Sequence, residues 1–298
     1  MTDIGCVLEA RSVLGEGALW WEGGLYWLDQ MRPEIHRFDP ATGEDKELDL
    51  ALPEQLGAVV PRASGGLVLA ASDGISFIDS SLSRRSLLCN PASDEPRSSF
   101  NDAKCDRDGR LWAGTTDRQE TEKLGRLFCI DADGSWREVA RDFIASNGPS
   151  FSPDGQTMYH TRSHERSIVA YDIDRRIGAA SNPRLFARYD PSAGVPDGST
   201  VDAEGFLWST HWGGWRVTRF AHDGTVDRTI EMPVRTLTSC AFGGDDLSVL
   251  YVTSASIDFV EGRWVYMTDE GFERNPTAGG IFAIDVGVCG LAETAFAG

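Results

Sequence analysis

Six times along the chain a short polar turn leads into an apolar and aromatic step: EGGLYWLD, SGGLVLAA, DGRLWAGT, DGQTMYHT, EGFLWSTH and DLSVLYVT, anchored at Leu25, Leu67, Leu111, Met158, Leu207 and Leu250. Successive anchors lie 42, 44, 47, 49 and 43 residues apart. A near-constant period of this size, carried by segments with strand-like alternation, marks repeats of a β supersecondary unit. A second strand follows each anchor, as in IHRFDPATG, LFCIDADG and IVAYDIDR, and most of these end in aspartate and a turn. The remaining stretch of each repeat, such as REVARDF or DRTIEMP, supplies a further strand. Four strands in each of six repeats predict an all-β chain, a six-bladed β-propeller formed by residues 1–298 as one domain. The strand-like piece CVLEARSV, ahead of the first repeat, is expected to close the last blade. The stretch Ser256–Gly279 is expected to be a surface insertion in repeat six.

Length alone, 298 residues, allows two domains or one large all-β domain, so the repeats decide. No apolar run approaches the ~20 residues needed to cross a bilayer, so no membrane partner is expected. The opening MTDIGCVLEA has neither the basic nor the apolar region of a secretory signal, and a cytoplasmic location is the expectation. Cys6, Cys89, Cys105, Cys129, Cys240 and Cys289 are scattered without C-x-x-C spacing, which predicts reduced thiols. With 46 acidic against 28 basic residues the net charge is −18, which would repel a phosphate backbone and excludes nucleic acid as a partner. A small molecule remains as the expected partner, with the chain a monomer or weak homo-oligomer.

Each repeat enters its first strand through a small polar turn: GEGALW at Glu16, QLGAVV at Gln55, NDAKCD at Asn101, NGPSFS at Asn147, DGSTVD at Asp197 and TSCAFG at Ser239. These residues precede their anchors by 9, 12, 10, 11, 10 and 11 positions, so they occupy equivalent places in successive blades. The first strand of a propeller blade lines the central channel, which makes Glu16, Asn101, Asn147 and Asp197 the expected occupants of one end of it. Two carboxylates and two carboxamides form a hard oxygen set suited to Ca²⁺, Mg²⁺ or Mn²⁺, with borderline ions also admitted. The competing reading is that Asn-Gly, Asp-Gly and Glu-Gly are turn dipeptides and nothing more. Recurrence of the polar residue in register favours the site.

The segments LGEGALWW, FNDAKCDRDGRLWAGT, SNGPSFSPDGQTMYHT, VPDGSTVDAEGFLWSTHWGGWRVTRF and TSCAFGGDDLSVLYVTSA, in that order along almost the whole chain, resemble the regucalcin/gluconolactonase family, also called the senescence marker protein family. SNGP, the YHT step and STHWGGWRV look most like bacterial sugar lactonases acting on xylono-, arabinono- or galactonolactone. The resemblance implies a six-bladed propeller, one divalent metal ion (Ca, Mn, Zn, Mg or Fe(II)) and hydrolysis of an aldonolactone to its acid. By matching motif, the implied metal ligands are Glu16, Asn147 and Asp197, with Asn101 orienting the sugar. The family often has arginine two residues before that asparagine, where this chain has Ser99, with Arg97 nearby. An acidic residue in the loop after AGT often touches sugar hydroxyls in the family, and Glu120 is its counterpart here.

Lactone hydrolysis needs a Lewis acid on the carbonyl oxygen, a water at the carbonyl carbon and a base for the water's proton. Asp197 is the expected base as well as a ligand, and a hydroxide generated at the ion is the competing nucleophile. His160 and His164 have H-x₃-H spacing, but at a strand end and in a turn, which disfavours a zinc pair. His160 and His211 are read as packing residues that could instead reach the substrate. There is no G-x-S-x-G elbow for a serine triad. Two other functions stay open at this level: ester or organophosphate hydrolysis on the same metal, and a non-catalytic propeller that binds other proteins.

Overall fold

Every anchor of the repeat is the apolar start of a strand buried in a sheet. In the computed structural model, which describes residues 4–260 and 263–298, Leu25, Leu67, Leu111, Met158, Leu207 and Leu250 are all at most 1% exposed. Each such side chain contributes ~1.5–3 kcal/mol by leaving water.

The strands follow the order in which the sequence writes them. After β1 (Ile4–Leu8), blade one is β2 (Gly15–Trp21), β3 (Gly24–Asp29), β4 (Glu34–Asp39) and β5 (Glu44–Glu47). Blade two is β6 (Leu56–Pro61), β7 (Leu67–Ala71), β8 (Gly74–Ile78) and β9 (Arg85–Cys89). Blade three is β10 (Ser98–Cys105), β11 (Leu111–Asp117), β12 (Gly125–Ile130) and β13 (Trp136–Phe143). Blade four is β14 (Ser146–Phe151), β15 (Thr157–Arg162), β16 (Ser167–Asp174) and β17 (Ala179–Arg188). Blade five is β18 (Val195–Val201), β19 (Leu207–Trp212), β20 (Arg216–Phe220) and β21 (Val226–Glu231). Blade six begins with β22 (Leu237–Gly243) and β23 (Val249–Ser254). A hairpin of β24 (Ile257–Val260) and β25 (Arg263–Tyr266) and a one-turn helix α1 (Asp269–Arg274) intervene before β26 (Ile281–Asp285). Each blade is an antiparallel sheet in sequential order, and the sixth is completed by β1 on the outer side of β26.

The chain divides into two compact units. One contains Met1–Glu47 and Tyr189–Leu291, hence blades one, five and six; the other contains Leu48–Arg188 and Ala292–Gly298, hence blades two, three and four. In the first unit, Trp208, Val217, Leu237, Phe242 and Phe282 form the core of blades five and six, while Leu25, Trp27, Phe38, Ala241 and Tyr251 join blade one to blade six. In the second, Phe100, Phe128, Val68 and Ile75 pack with Phe296 of the C-terminal segment, and Trp112, Phe143, Phe151 and Met158 join blades three and four.

Two of the turns that announce the repeat are locked by one device. Asp106 in DRDGRLW accepts the backbone N–H groups of Asp108 and Arg110 at 2.9 and 3.0 Å on one oxygen and the Trp112 indole N–H at 2.9 Å on the other. Asp202 in DAEGFLW does the same with Glu204, Phe206 and Trp208 at 3.0, 3.0 and 2.9 Å. The aspartate fixes the hairpin turn and satisfies the one polar atom of a fully buried tryptophan.

Candidate active site

All six inner strands carry a β-bulge close to their first residues. The register shifts between Glu16 and Leu19, Leu56 and Ala58, Phe100 and Asp102, Asn147 and Ser150, Pro196 and Ser199, and Leu237 and Cys240. A bulge sets two residues against one on the partner strand and re-aims the side chain at that point, as it commonly does beside active sites. Glu16, Asn101, Asn147 and Asp197 all sit at these bulges. In blade two the bulge holds Gly57, two residues beyond the Gln55 that the repeat alignment selects, and Gln55 lies just outside β6.

In the unit of blades two to four, the bulges touch one another. Asn101 donates its Nδ2 to the carbonyl of Ser146 at 3.0 Å and to Asn147 Oδ1 at 2.9 Å. Asn147 in turn donates its Nδ2 to Ser163 Oγ at 2.8 Å. The carboxamide of Asn147 is therefore oriented at both ends. A Cβ on Gly57 would stand 2.7 Å from the carbonyl oxygen of Phe100, so glycine is what lets blade two close onto blade three here. Asp102 accepts the N–H of Gly148 at 2.7 Å and of Ala103 at 2.8 Å, and burial pushes its carboxyl up to about 7.

Behind this pair, Ser146 Oγ lies 2.8 Å from Nε2 of His160, a wholly buried ring whose pKa burial pushes down to about 3. His160 is thus neutral and braces the Asn147 strand. Gly114 of LWAGT makes room for it, because a Cβ there would overlap Ser146 Oγ. His164 goes elsewhere, 3.1 Å from Glu120.

Glu120 lies in the loop after β11, at the end of blade three where β10 begins, since Ser98 pairs with Asp117. The loop is tied by Asp117, which accepts the N–H groups of Gln119, Thr121 and Glu122. Burial raises the Asp117 carboxyl, but these donors outweigh it and hold the group down at about 2. Arg97 binds both Asp117 oxygens at 3.1 and 3.2 Å and Glu122 at 2.9 Å. Arg97 therefore clamps this loop. Ser99 is 1% exposed and its hydroxyl donates to the Phe100 carbonyl.

In the unit of blades one, five and six, a chain of hydroxyls links the other two bulges. Thr210 Oγ1 lies 2.9 Å from the carbonyl of Gly198 and 2.6 Å from that of Thr238, and Thr238 Oγ1 donates to the carbonyl of Gly15. Asp197, next to Gly198, and Glu16, next to Gly15, thus flank the bulge of blade six. Glu16 is 8% and Asp197 6% exposed. Glu16 Oε2 also accepts the N–H of Gly17 at 2.9 Å. Tyr189 is buried near Asp197, its hydroxyl pushed far up by burial with the negative charge of Asp197 adding to the effect. Its ring lies 4.5 Å from His211, which is fixed by the Ala193 carbonyl at 2.7 Å and Thr218 Oγ1 at 2.8 Å. Burial pushes His211 down to about 4, so it too is neutral.

Taken one by one, the donors that the sequence suggests fit a divalent cation by their chemistry. Glu16 and Asp197 are buried carboxyl-bearing side chains, and Asn147 offers an amide oxygen of which Asn101 uses one lone pair. All three are hard oxygen donors of the kind that hold Ca²⁺, Mg²⁺ or Mn²⁺. Among the described residues there is no group of three or more His, Cys, Asp or Glu side chains placed to hold a metal ion.

Ser146, Ser163, His160, Tyr189, Thr210 and Thr238 went unnoticed in the sequence or were read as packing. Their partners depend on which strand lies beside which, and no motif spacing encodes that.

Fold and bulges together define a class, the β-propellers that carry polar residues at the entrances of their inner strands. The chain belongs to the SMP-30/gluconolactonase/LRE-like family, whose model matches residues 14–256. It is 38% identical to a 6-deoxy-6-sulfogluconolactonase of Pseudomonas putida, with 98% of each chain covered. It is 33% identical to a pentonolactonase of Haloferax volcanii, with 96% of each covered. Among solved structures, a calcium-binding regucalcin from Agrobacterium tumefaciens matches at a TM-score of 0.89 and 28% identity, covering 98% of this chain and 96% of the other. The fold is the six-bladed β-propeller.

Proposed function

We propose that this protein is a divalent-metal-dependent sugar lactonase that opens an aldonolactone to its aldonic acid. The observation that carries the reading is the recurrent bulge: it sets Glu16, Asn147 and Asp197, three hard oxygen donors, at equivalent strand ends in a family whose named members include lactonases. We assign these three as metal ligands and Asn101 and Glu120 as substrate contacts.

When bound, the ion supplies a Lewis acid for the lactone carbonyl. Asp197 takes a proton from the attacking water through its carboxylate, the water oxygen bonds to the carbonyl carbon, and the ring C–O bond breaks. The proton held on Asp197 then passes to the ring oxygen as it leaves as a hydroxyl. Asn101, oriented by its contacts to Ser146 and Asn147, holds the sugar through neutral hydrogen bonds. Burial pushes His160 down to about 3 and His211 to about 4, which makes both weak bases, and their contacts to Ser146 and to Ala193 and Thr218 give them a positioning role.

The test is a panel of xylono-, arabinono-, galactono- and gluconolactones, assayed after chelation and after return of Ca²⁺, Mn²⁺, Mg²⁺, Zn²⁺ or Fe²⁺. Hydrolysis that is lost with chelator and restored by at least one ion is the expected result. Full activity in the chelated protein, or no turnover of any lactone with any ion, would overturn the reading.

A further inference from the structure

At one end of blades five and six, the chain builds an aromatic edge that the lactonase reading leaves unused. Val195 pairs with Trp212 and Pro196 with His211, so the turn HWGGW leaves blade five at the end where Asp197 stands. Leu237 pairs with Ser254, so the insertion that follows β23 leaves blade six at the end where its bulge stands. Thr210, bridging the carbonyls of Gly198 and Thr238, sets these two ends side by side.

The turn and the insertion meet through Trp212 and Trp264, whose rings stand edge to face with centroids 5.9 Å apart. Trp264 is 40%, Trp215 44% and Tyr266 55% exposed, a concentration of large aromatic surface that water alone does not favour. The backbone beneath is held tightly. A Cβ on Gly214 would stand 2.3 Å from the Ala193 carbonyl, and one on Gly194 would stand 2.4 Å from that of Trp212. The hairpin is anchored by buried Ile257, by the Met267 N–H to the Ser256 carbonyl at 3.0 Å, and by an ion pair of Asp258 with Arg235. Arg235 also gives its carbonyl to the Trp215 N–H at 3.1 Å, which joins hairpin and turn.

We propose that the Trp212–Trp264 pair forms an aromatic wall for the C–H face of the sugar lactone whose carbonyl is worked on at Asp197, one ring stacking on the sugar and the other bracing it edge to face. Aromatic faces carry partial negative charge and the C–H groups of an oxygenated ring partial positive charge, so the two surfaces attract while both shed water. Sugar pockets commonly combine aromatic walls with a few placed polar groups. The wall makes this chain selective for lactones that present an unbroken C–H face. It rests on the lactonase reading.

Trp264→Ala and Trp212→Ala, compared with Trp264→Phe, test this with the lactone that the panel finds best. Stacking acts on ground state and transition state alike, so the alanine variants should raise KM about tenfold while kcat stays within about twofold. Trp264→Phe should recover most of the loss. A second readout uses 1,5-anhydro-D-glucitol, which has the ring faces but no carbonyl: it should inhibit the wild type competitively and lose at least fivefold in affinity in Trp264→Ala. Wild-type KM in both alanine variants, or a fall in kcat without a rise in KM, would overturn the wall and leave the lactonase standing. If the wild type turns over no lactone, the lactonase reading itself fails and the wall with it.

Discussion

Asn101 Nδ2 donates to Asn147 Oδ1 at 2.9 Å, and the far end of the same Asn147 carboxamide donates to Ser163 at 2.8 Å. The amide therefore cannot turn over without losing both bonds, and its oxygen faces away from Ser163. With Asn147 as the proposed metal ligand, Asn101 and Ser163 would orient it, and groups that orient a ligand commonly change metal affinity by about 10–100-fold when lost.

Ser163→Ala is accordingly expected to weaken metal binding about tenfold or more while leaving kcat at saturating metal within a few-fold of wild type. Asn101→Ala, which removes both a tether and a proposed substrate contact, should weaken metal binding and raise KM together. Titration calorimetry with Ca²⁺ or Mn²⁺ beside steady-state kinetics reads both. Wild-type metal affinity in Ser163→Ala would remove Ser163 from the site.

Asp197 carries two proposed roles that one pair of variants separates. Asp197→Asn keeps an oxygen donor and loses the base; Asp197→Ala loses both. With Asp197 as the base, the asparagine variant should bind some metal yet lose ~10²-fold or more in kcat. The decisive quantity is kcat per bound ion across added metal concentrations. A value near wild type would assign Asp197 to ligation alone.

The repeat was legible because it is written in anchors. Leu25 to Leu250 are apolar residues after turns, and burial demands them there in every blade. The placement of the polar residues was legible for a related reason: Glu16, Asn101, Asn147 and Asp197 precede their anchors by 9, 10, 11 and 10 residues, and each stands at a bulge. What spacing does not report is the bulge. It inserts one residue, so the alignment drifts by a position or two, and in blade two it selected Gln55 over Gly57. Arg97 shows the other limit. It lies close to Asn101 in sequence, but Asp117 and Glu122, twenty or more residues on, claim its guanidinium.

Asp102 gives the chain a pH-dependent weak point beside Asn101. Burial raises its folded pKa to about 7, above the ordinary 3.8, so its contribution to stability is fully present below about pH 4 and is lost as pH rises through about 7. The loss is on the order of 4 kcal/mol at most. Asp102→Asn keeps an acceptor for the Gly148 N–H and does not ionise. Thermal melts should show the wild type losing stability relative to the variant between pH 4 and pH 8. A difference in melting temperature that is constant across that range would show that Asp102 does not titrate there.

The final prediction concerns the charge of the substrate. Ser99 is uncharged with its hydroxyl turned to the Phe100 carbonyl, and Arg97 is engaged by Asp117 and Glu122. With a net charge of −18, the protein repels anions at long range. Neutral lactones should therefore exceed their 6-phosphorylated or 6-sulfonated counterparts by about tenfold or more in kcat/KM. Added salt should narrow the gap by screening the repulsion, with little effect on the neutral substrates. Arg97→Ala should loosen the loop that carries Glu120 and lower thermal stability, yet leave the ratio between neutral and charged lactones unchanged. If charged lactones are the better substrates and lose that advantage as salt rises, a cation other than Arg97 must hold them, and the assignment of a neutral sugar site fails.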